Sequence, residues 1–505
     1  MNPNVTALQR LNIADLLLPL DDTSGIPLYR QVYAGLRDAI LEGRLPPGTR
    51  IPSSRRLAEY LAVSRSTVLV AFDQLTAEGF LIGAVGSGSR VSDHLPPPPP
   101  PPEADIPMAS SLGMLSRRGR SLVELPRPAR PRSPGPLAFR QGQPPVDGFP
   151  LDVWRRLAAR CYRTISTADL YHGSPYGLER LREAIVTVAL ARGIRCDSRQ
   201  VVVLDSAQEA MELVCRILLD PGDQAWIEDP AWSGGHAALL SAGARIVPVP
   251  VDEAGLRVEV GIERAPGARL AYVTPSHQYP MGVTLSLERR TTLLHWAKEH
   301  AAWILEDDYD SEFRYADRPL PALQGLDQAG RVIYVGTFNK TLFPALRLAY
   351  LILPDALIDG VREARAIGGQ HPRVVDQAIL SDFIEEGHYA RHLKHARTLG
   401  RERRDTLIRA AAERLHGLEV AHTDTGLHVV GWLPAGTDDR RVSAAALRHD
   451  VEAAPLSAYY LGPSPRPGLV LGYGSLTTGQ IRDGMARLAV AVAEANTEGH
   501  AARRA

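Results

Sequence analysis

The sequence predicts two unlike folded parts on one chain of 505 residues. One is a small, mainly α N-terminal module with a β wing. The other is a large α/β domain with a mostly parallel sheet and a smaller C-terminal α/β subdomain. Three observations predict this. Residues 1–92 show helical apolar spacing and then two short β-prone pieces. Residues 93–137 are rich in proline and arginine and include an unbroken run of seven prolines, Pro96–Pro102. From residue 138 to 505, strand-like apolar runs alternate with helical patterns, as in a sheet covered by helices on both faces.

Bulk composition narrows the function classes. Hydrophobic residues make up 45% and charged residues 23%, the range of an ordinary globular protein. The net charge is zero, so no global field draws the chain to nucleic acid or membrane, and any DNA contact must come from a local patch. The N-terminus lacks the basic-then-apolar order of a signal peptide, and no stretch reaches the ~18 apolar residues of a membrane span. The three cysteines, Cys161, Cys196 and Cys215, have no metal-ligand spacing. These features predict a cytoplasmic protein with no metal and no membrane partner. Of the 57 basic residues only Lys298, Lys340 and Lys394 are lysines, so a lysine in a chemically suggestive place stands out.

In the N-terminal module, Leu28, Val32, Leu36 and Ile40 fall on one helical face, and Gly43 follows as a stop. "SRRLAEYLAVSRSTVLVAFDQLTAEG" reads as two helices with a sharp turn near Ala62 and Val63. Ser53 or Ser54 would cap the first, Ser64 the second, and Gly79 would end it. "FLIGAVGSGSRV" adds a hairpin around Gly86-Ser87-Gly88. Three helices and a wing make a winged helix-turn-helix, in which the first turn of the second motif helix meets base edges. That turn holds Ser64, Arg65, Ser66 and Thr67; Arg65 can pair bidentately with guanine. Arg55 and Arg56 open the preceding helix and suit a backbone phosphate, while Arg90 on the wing reaches toward an adjacent groove. The stretch closely resembles the GntR-type winged helix, whose function is to bind double-stranded DNA.

The proline run cannot join a sheet or a helix and forms a semi-rigid spacer, ~3.1 Å per residue and so roughly 20 Å long. In the large domain, ligands of such sheets bind beyond the carboxyl ends of the strands, and the residues following each strand carry the chemistry. After "RVIYVGT" comes Lys340, whose amine, unlike a guanidinium, loses its proton when desolvated and becomes a nucleophile. A nucleophilic lysine there suggests a Schiff base with pyridoxal 5'-phosphate. "AAWILEDDYD" supplies Asp307 for the pyridine nitrogen and Tyr309 for the ring hydroxyl. "VVVLDSAQEAM" runs from strand into helix, so Ser206, Ala207 and Gln208 offer amides to a phosphate. Thr337 and Arg347 add a hydroxyl and a guanidinium, and Trp232 a plate for the ring.

"YVGTFNKTLFPALRLAYL", "EDDYDSEFRY", "TPSHQYPMG" and "YHGSPYGLERLREAI" are similar to landmarks of the fold type I aminotransferases. With its GntR-like head the whole chain resembles the MocR/GabR family of transcription regulators. That resemblance implies Lys340 as the aldimine lysine and a head-to-tail homodimer in which Tyr171 reaches the phosphate of the neighbouring subunit. Either Asp307 or Asp308 could face the pyridine; the family's spacing to the tyrosine favours Asp307. The resemblance further implies an operator with paired half-sites and a small-molecule effector, an amine or pyridoxal phosphate itself. The alternative is an active aminotransferase with a fused DNA-binding head.

The pattern breaks at one place. "LVLGYG" puts Val470 where the family's "LRLGFA" carries the arginine that clamps a substrate carboxylate; Arg466 and Arg482 are off register. Tyr279 stands where many aminotransferases have an asparagine, and His277 lies close by in sequence.

Overall fold

The computed structural model describes residues 20–84, 88–95, 115–125, 137–167, 171, 173–315, 321–368, 373–421 and 423–504. The proline run Pro96–Pro102 and the Gly86-Ser87 part of the wing turn lie outside these residues. The chain divides into two compact units, Met1–Gly113 and Met114–Ala505.

In the first unit, helix α1 (Leu28–Leu41) buries Val32, Leu36, Ala39 and Ile40. Helix α2 (Ser54–Leu61) is capped by Ser53, whose side chain accepts from Arg56 N–H, and stops at Ala62 in the left-handed region. Helix α3 (Arg65–Ala77) is capped by Ser64, which accepts from Thr67 N–H at 3.1 Å. The φ of +80° at Gly79, open to glycine at no steric cost, turns the chain toward the wing. The wing is an antiparallel pair, β1 (Leu81–Ala84) and β2 (Gly88–Val91). Leu57, Val68, Phe72, Leu75, Leu81 and Val91 close the core against α1. The three helices and the wing are those the spacing predicts.

The second unit opens with α4 (Arg117–Glu124), α5 (Leu151–Thr164) and α6 (Glu179–Leu190). Alternating elements follow: β3 (Val201–Leu204), α7 (Ala207–Leu218), β4 (Gln224–Asp229), α8 (Ser233–Ala242), β5 (Arg245–Asp252), β6 (Gly255–Leu256), α9 (Val258–Arg264), β7 (Leu270–Val273), α10 (Leu287–Glu299), β8 (Trp303–Asp308), β9 (Val332–Thr337) and β10 (Ala349–Ile352). They form an eight-stranded sheet in the order β3-β10-β9-β8-β7-β4-β5-β6. It is parallel from β9 to β5, while β10 runs antiparallel to both its neighbours and β6 antiparallel to β5. Strand alternation sends Val202, Leu204, Leu305 and Val335 to one face, against α7, α8 and α11 (Ile358–Ile367). Val201, Val203 and Tyr334 go to the other face, against α5, α6 and α12 (Val374–Glu385).

The smaller subdomain adds α13 (His388–Arg414), β11 (Glu419–Val420), β12 (His428–Trp432), α14 (Asp439–Arg448), β13 (Ala454–Pro455), β14 (Gly468–Gly472) and α15 (Thr478–Arg504). Its four strands make an antiparallel sheet in the order β11-β12-β14-β13. Within the stretch read as linker, α4 is a folded helix that lies against α8. Ser116 caps it, accepting from Gly119 N–H at 3.0 Å, and Arg118 donates to the Ser241 carbonyl at 3.0 Å. Among the described residues no helix is long and apolar enough to cross a membrane.

Candidate cofactor site and nucleic-acid interface

Five strand ends meet at one cavity of about 530 Å³, within the range of small-molecule sites. Lys340, Asp307, Tyr309, Trp232, Ser206, Ala207, Gln208, Thr337 and Arg347 all line it. Tyr171 does not; its side chain is 80% exposed.

The alternation of β8 sends the two aspartates to opposite faces of the sheet. Asp307 falls on the α7 face with Leu305, lines the cavity and accepts from the Tyr272 hydroxyl at 2.8 Å. Asp308 points to the opposite face, where it pairs with Arg192 at 3.0 Å and accepts from Tyr334 at 2.8 Å. Burial pushes the Asp307 carboxyl up to about 7, against the hydrogen bond from Tyr272. The Lys340 amine donates to the Gly142 carbonyl at 2.8 Å. Burial lowers its pKa, and the carboxylates Asp310 and Asp307 oppose that shift. A Cβ at Gly142, whose φ is +66°, would come 2.4 Å from the Lys340 Nζ, so only glycine leaves the amine its place. Ser206 caps α7, accepting from Glu209 N–H at 3.1 Å, and the first amides of α7 border the cavity beside it. Thr337 ends β9, and Arg347 is an exposed cation on the cavity wall.

Behind Tyr309 lies a dyad that spacing along the chain does not reveal. His277 Nδ1 is 2.9 Å from Asp310 Oδ1 and 3.0 Å from the Tyr309 hydroxyl. His277 is buried, and its ring sits 4.8 Å from that of His428. Asp310 also accepts from Leu427 N–H at 3.2 Å, tying β8 to the smaller subdomain. The arrangement offers a nucleophilic amine, a buried anion, an aromatic plate and a helix N-terminus around one space. That donor set fits pyridoxal phosphate.

In the first unit, Ser64, Arg65 and Ser66 are exposed at the start of α3 and Thr67 is half-buried beside them. Among the described residues Arg65 Nε donates to Ser54 Oγ, at 3.3 Å, and no other hydrogen bond engages its donor fork. Arg55 and Arg56 stand exposed in the first turn of α2, Arg55 with Glu59 at 3.9 Å. Arg90 is exposed on β2, 3.3 Å from Asp93. The predicted residues thus lie at two helix starts and on the wing.

Two family models match: bacterial regulatory proteins of the gntR family over residues 28–91, and aminotransferases of class I and II over residues 135–464. The chain is 39% identical to a probable rhizopine catabolism regulatory protein, MocR, of Rhizobium meliloti, over 93% of this chain and 94% of that one. The chain belongs to the MocR-type transcriptional regulators. The regulator TauR of Rhodobacter capsulatus is 33% identical over 92% of this chain and 96% of its own. The pyridoxine biosynthesis regulator PdxR of Corynebacterium glutamicum is 31% identical, with 95% and 99% covered. Among solved structures, the α-aminoadipate aminotransferase LysN of Thermus thermophilus superposes with a TM-score of 0.66 at 26% identity, covering 76% of this chain and 96% of its own.

This MocR-type chain departs from an aminotransferase where its sequence does. Val470 is fully buried in β14, paired across the sheet with Val430 and Ala454. Arg466 is held by Glu419 and lies over the Trp432 ring, and Arg482 is exposed on α15; neither lines the cavity. Sequence reading missed Gln141, Gly142, Asp310, His428, Glu452 and Tyr459, which also line the cavity. Asp310 closes the "EDDYD" run already singled out, Gly142 is the glycine of "RQGQ", and His428, Glu452 and Tyr459 come from distant segments that the fold brings together.

Proposed function

We propose that this regulator holds pyridoxal 5'-phosphate at Lys340 and that a small amine, or the cofactor itself, is the signal it reads. The observation that carries the reading is the meeting of the Lys340 amine, the Asp307 carboxylate and the N-terminus of α7 on one cavity. When bound, the cofactor supplies an aldehyde that condenses with amines. Burial favours the unprotonated, nucleophilic form of the Lys340 amine. Asp307, already desolvated, is the anion that faces the pyridine nitrogen, and Tyr272 fixes its orientation. Tyr309 presents its phenol to the ring oxygen, held from behind by the His277–Asp310 pair. Trp232 stacks on the ring, while Ser206, Ala207, Gln208, Thr337 and Arg347 surround the phosphate. Tyr171, exposed and away from this cavity, serves the phosphate site of a second subunit in a head-to-tail homodimer. The two winged helices of such a dimer read paired half-sites of an operator, with Arg65 at the base edges.

An aminotransferase with an attached head would use the same lysine and aspartate. Val470 in place of a carboxylate-clamping arginine favours the regulator, because turnover of amino and keto acids needs that charge-assisted contact. The test is an absorbance titration of the purified chain with pyridoxal phosphate, paired with footprinting on the DNA upstream of its own gene. A visible band should form in the parent and be absent in Lys340→Ala, and the footprint should change with the cofactor or an added amine. An unaltered spectrum in Lys340→Ala would overturn the assignment of the lysine. Sustained exchange between an amino acid and a keto acid would overturn the regulator-only reading.

A further inference from the structure

A second cavity, of about 500 Å³, lies between α6, the segment that follows β8, and the start of α13. It shares no lining residue with the cofactor site. Arg192 belongs to its wall and is held there by Asp308 at 3.0 Å and Ser276 at 3.0 Å, so the cavity lies on the side of β8 away from Asp307. Val188, Ile384, Leu393 and Tyr389, whose hydroxyl turns to Thr341 at 3.4 Å, give it apolar surface. Two polar groups of the wall lack partners. Ser311 is only 7% exposed, and its hydroxyl makes no hydrogen bond among the described residues. The buried Oε2 atom of Glu312 makes none either. Arg397 is exposed beside them. Its Nε donates to the Glu312 carbonyl at 2.6 Å, and among the described residues no hydrogen bond engages its two terminal nitrogens.

A buried polar atom without a partner costs free energy, and a ligand that supplies the partner recovers it. Glu312 Oε2 asks for a donor. Burial and the Asp308 carboxylate both push the Glu312 carboxyl up, so a positive donor beside it offsets the charge that Asp308 crowds. The last turn of α6, which brings Thr187 and Val188 to the wall, adds the partly negative end of a helix. The open fork of Arg397 asks for the opposite, a planar anion, and the Ser311 hydroxyl can donate to the same group. A simple acid would leave Glu312 unpaired next to a second anion, and a simple amine would leave the fork of Arg397 unused. We propose that this cavity is a second ligand site and takes an α-amino acid with a bulky apolar side chain. Its ammonium group meets Glu312, its carboxylate meets Arg397 and Ser311, and its side chain lies on Val188, Ile384, Leu393 and Tyr389. A cavity of this volume has room for an aromatic side chain. Binding here involves no covalent step and does not depend on Lys340.

The experiment is calorimetric titration of the full chain, as the parent and as Lys340→Ala, with three matched probes: L-phenylalanine, 3-phenylpropanoate and 2-phenylethylamine. The second lacks the amine of the first, and the third lacks its carboxylate. L-Phenylalanine should bind both proteins, with a dissociation constant roughly tenfold or more below that of either analogue, since each analogue gives up one charge-assisted contact. Glu312→Gln should close the gap to 3-phenylpropanoate, and Arg397→Gln the gap to 2-phenylethylamine. Ala390→Trp, at an exposed position of α13 on the cavity wall, should abolish binding by filling the space without entering the core. Binding to the parent that is lost in Lys340→Ala would assign the amino acid to the cofactor site and overturn the proposal. Equal affinity for either analogue would overturn the paired recognition of ammonium and carboxylate. Absence of saturable heat from L-phenylalanine into the millimolar range, or binding that survives Ala390→Trp unchanged, would overturn the site itself.

Discussion

Asp307 sits in the cavity as a buried carboxylate whose partners, a phenol and a lysine amine, do not fully offset its desolvation. A carboxyl whose folded pKa stands above its unfolded value binds its proton more tightly in the folded chain. Its contribution to stability is therefore present at low pH and is lost as the pH rises from the ordinary carboxylate range through about 7. The loss is of order a few kcal/mol when complete. In the cofactor-free chain, Asp307→Asn should thus become steadily more stable relative to the parent between pH 5 and pH 8, while binding the cofactor more weakly. Urea unfolding at several pH values checks this, and parallel stability curves would refute it. The other raised carboxyls, Glu228, Asp229, Glu306 and Glu312, are common to both proteins and largely cancel in the comparison. At this scale the sequence made the residue types legible but not their facing. In "EDDYD" one aspartate had to meet the cavity and its neighbour the opposite face, because strand side chains alternate. Which of them did so depended on Tyr272 and Arg192, each far away along the chain.

In the proposed reading, helix α3 meets DNA through its first turn. The Ser64 cap fixes where the helix begins and so where Arg65 points; replacing Ser64 with alanine should cost about 1 kcal/mol of stability in the N-terminal unit. Among the described residues Arg65 has a single long hydrogen bond, to Ser54, so Arg65→Ala should leave the melting temperature unchanged. It should weaken operator binding by about 1–3 kcal/mol and relax base preference at one position. Arg90→Ala should weaken binding to all sequences alike and flatten the salt dependence, as the loss of a phosphate contact does. Binding titrations over several salt concentrations separate the two, and a sequence-independent loss in Arg65→Ala would displace the recognition helix from α3. Elements with strong periodicity or caps were legible: α1 to α3, the wing and the apolar runs that form β3, β8 and β9 all stand where the spacing put them. The antiparallel sense of β10 was not, since a buried apolar run reads alike in either direction. Helix α4 was also missed, because "RRGRSLVE" offers no apolar stripe and rests on its cap and on α8.

The whole molecule joins a DNA-reading unit to a cofactor-type unit through a segment whose length has two different meanings. By sequence the spacer runs from 93 to 137, yet α4 returns to the surface of the second unit from Arg117 onward and holds there through Arg118. Ahead of α4, the sequence predicts a semi-rigid spacer at Pro96–Pro102, which lies outside the described residues. Seven prolines in the polyproline II form span roughly 20 Å and resist bending, whereas a glycine-serine chain of equal length collapses to a broad distribution of shorter distances. In a dimer with two heads, a stiff spacer restricts the half-site separations that both heads satisfy at once, which raises the effective concentration of the second head only near the matching spacing. Replacing Pro96–Pro102 with a Gly/Ser segment of the same length should leave cofactor absorbance unchanged. It should lower the affinity for the native operator several-fold while improving tolerance of operators whose half-sites are moved by half a helical turn. Binding titrations on a series of spacing variants measure both effects. Identical spacing profiles before and after the exchange would reduce the prolines to a passive tether.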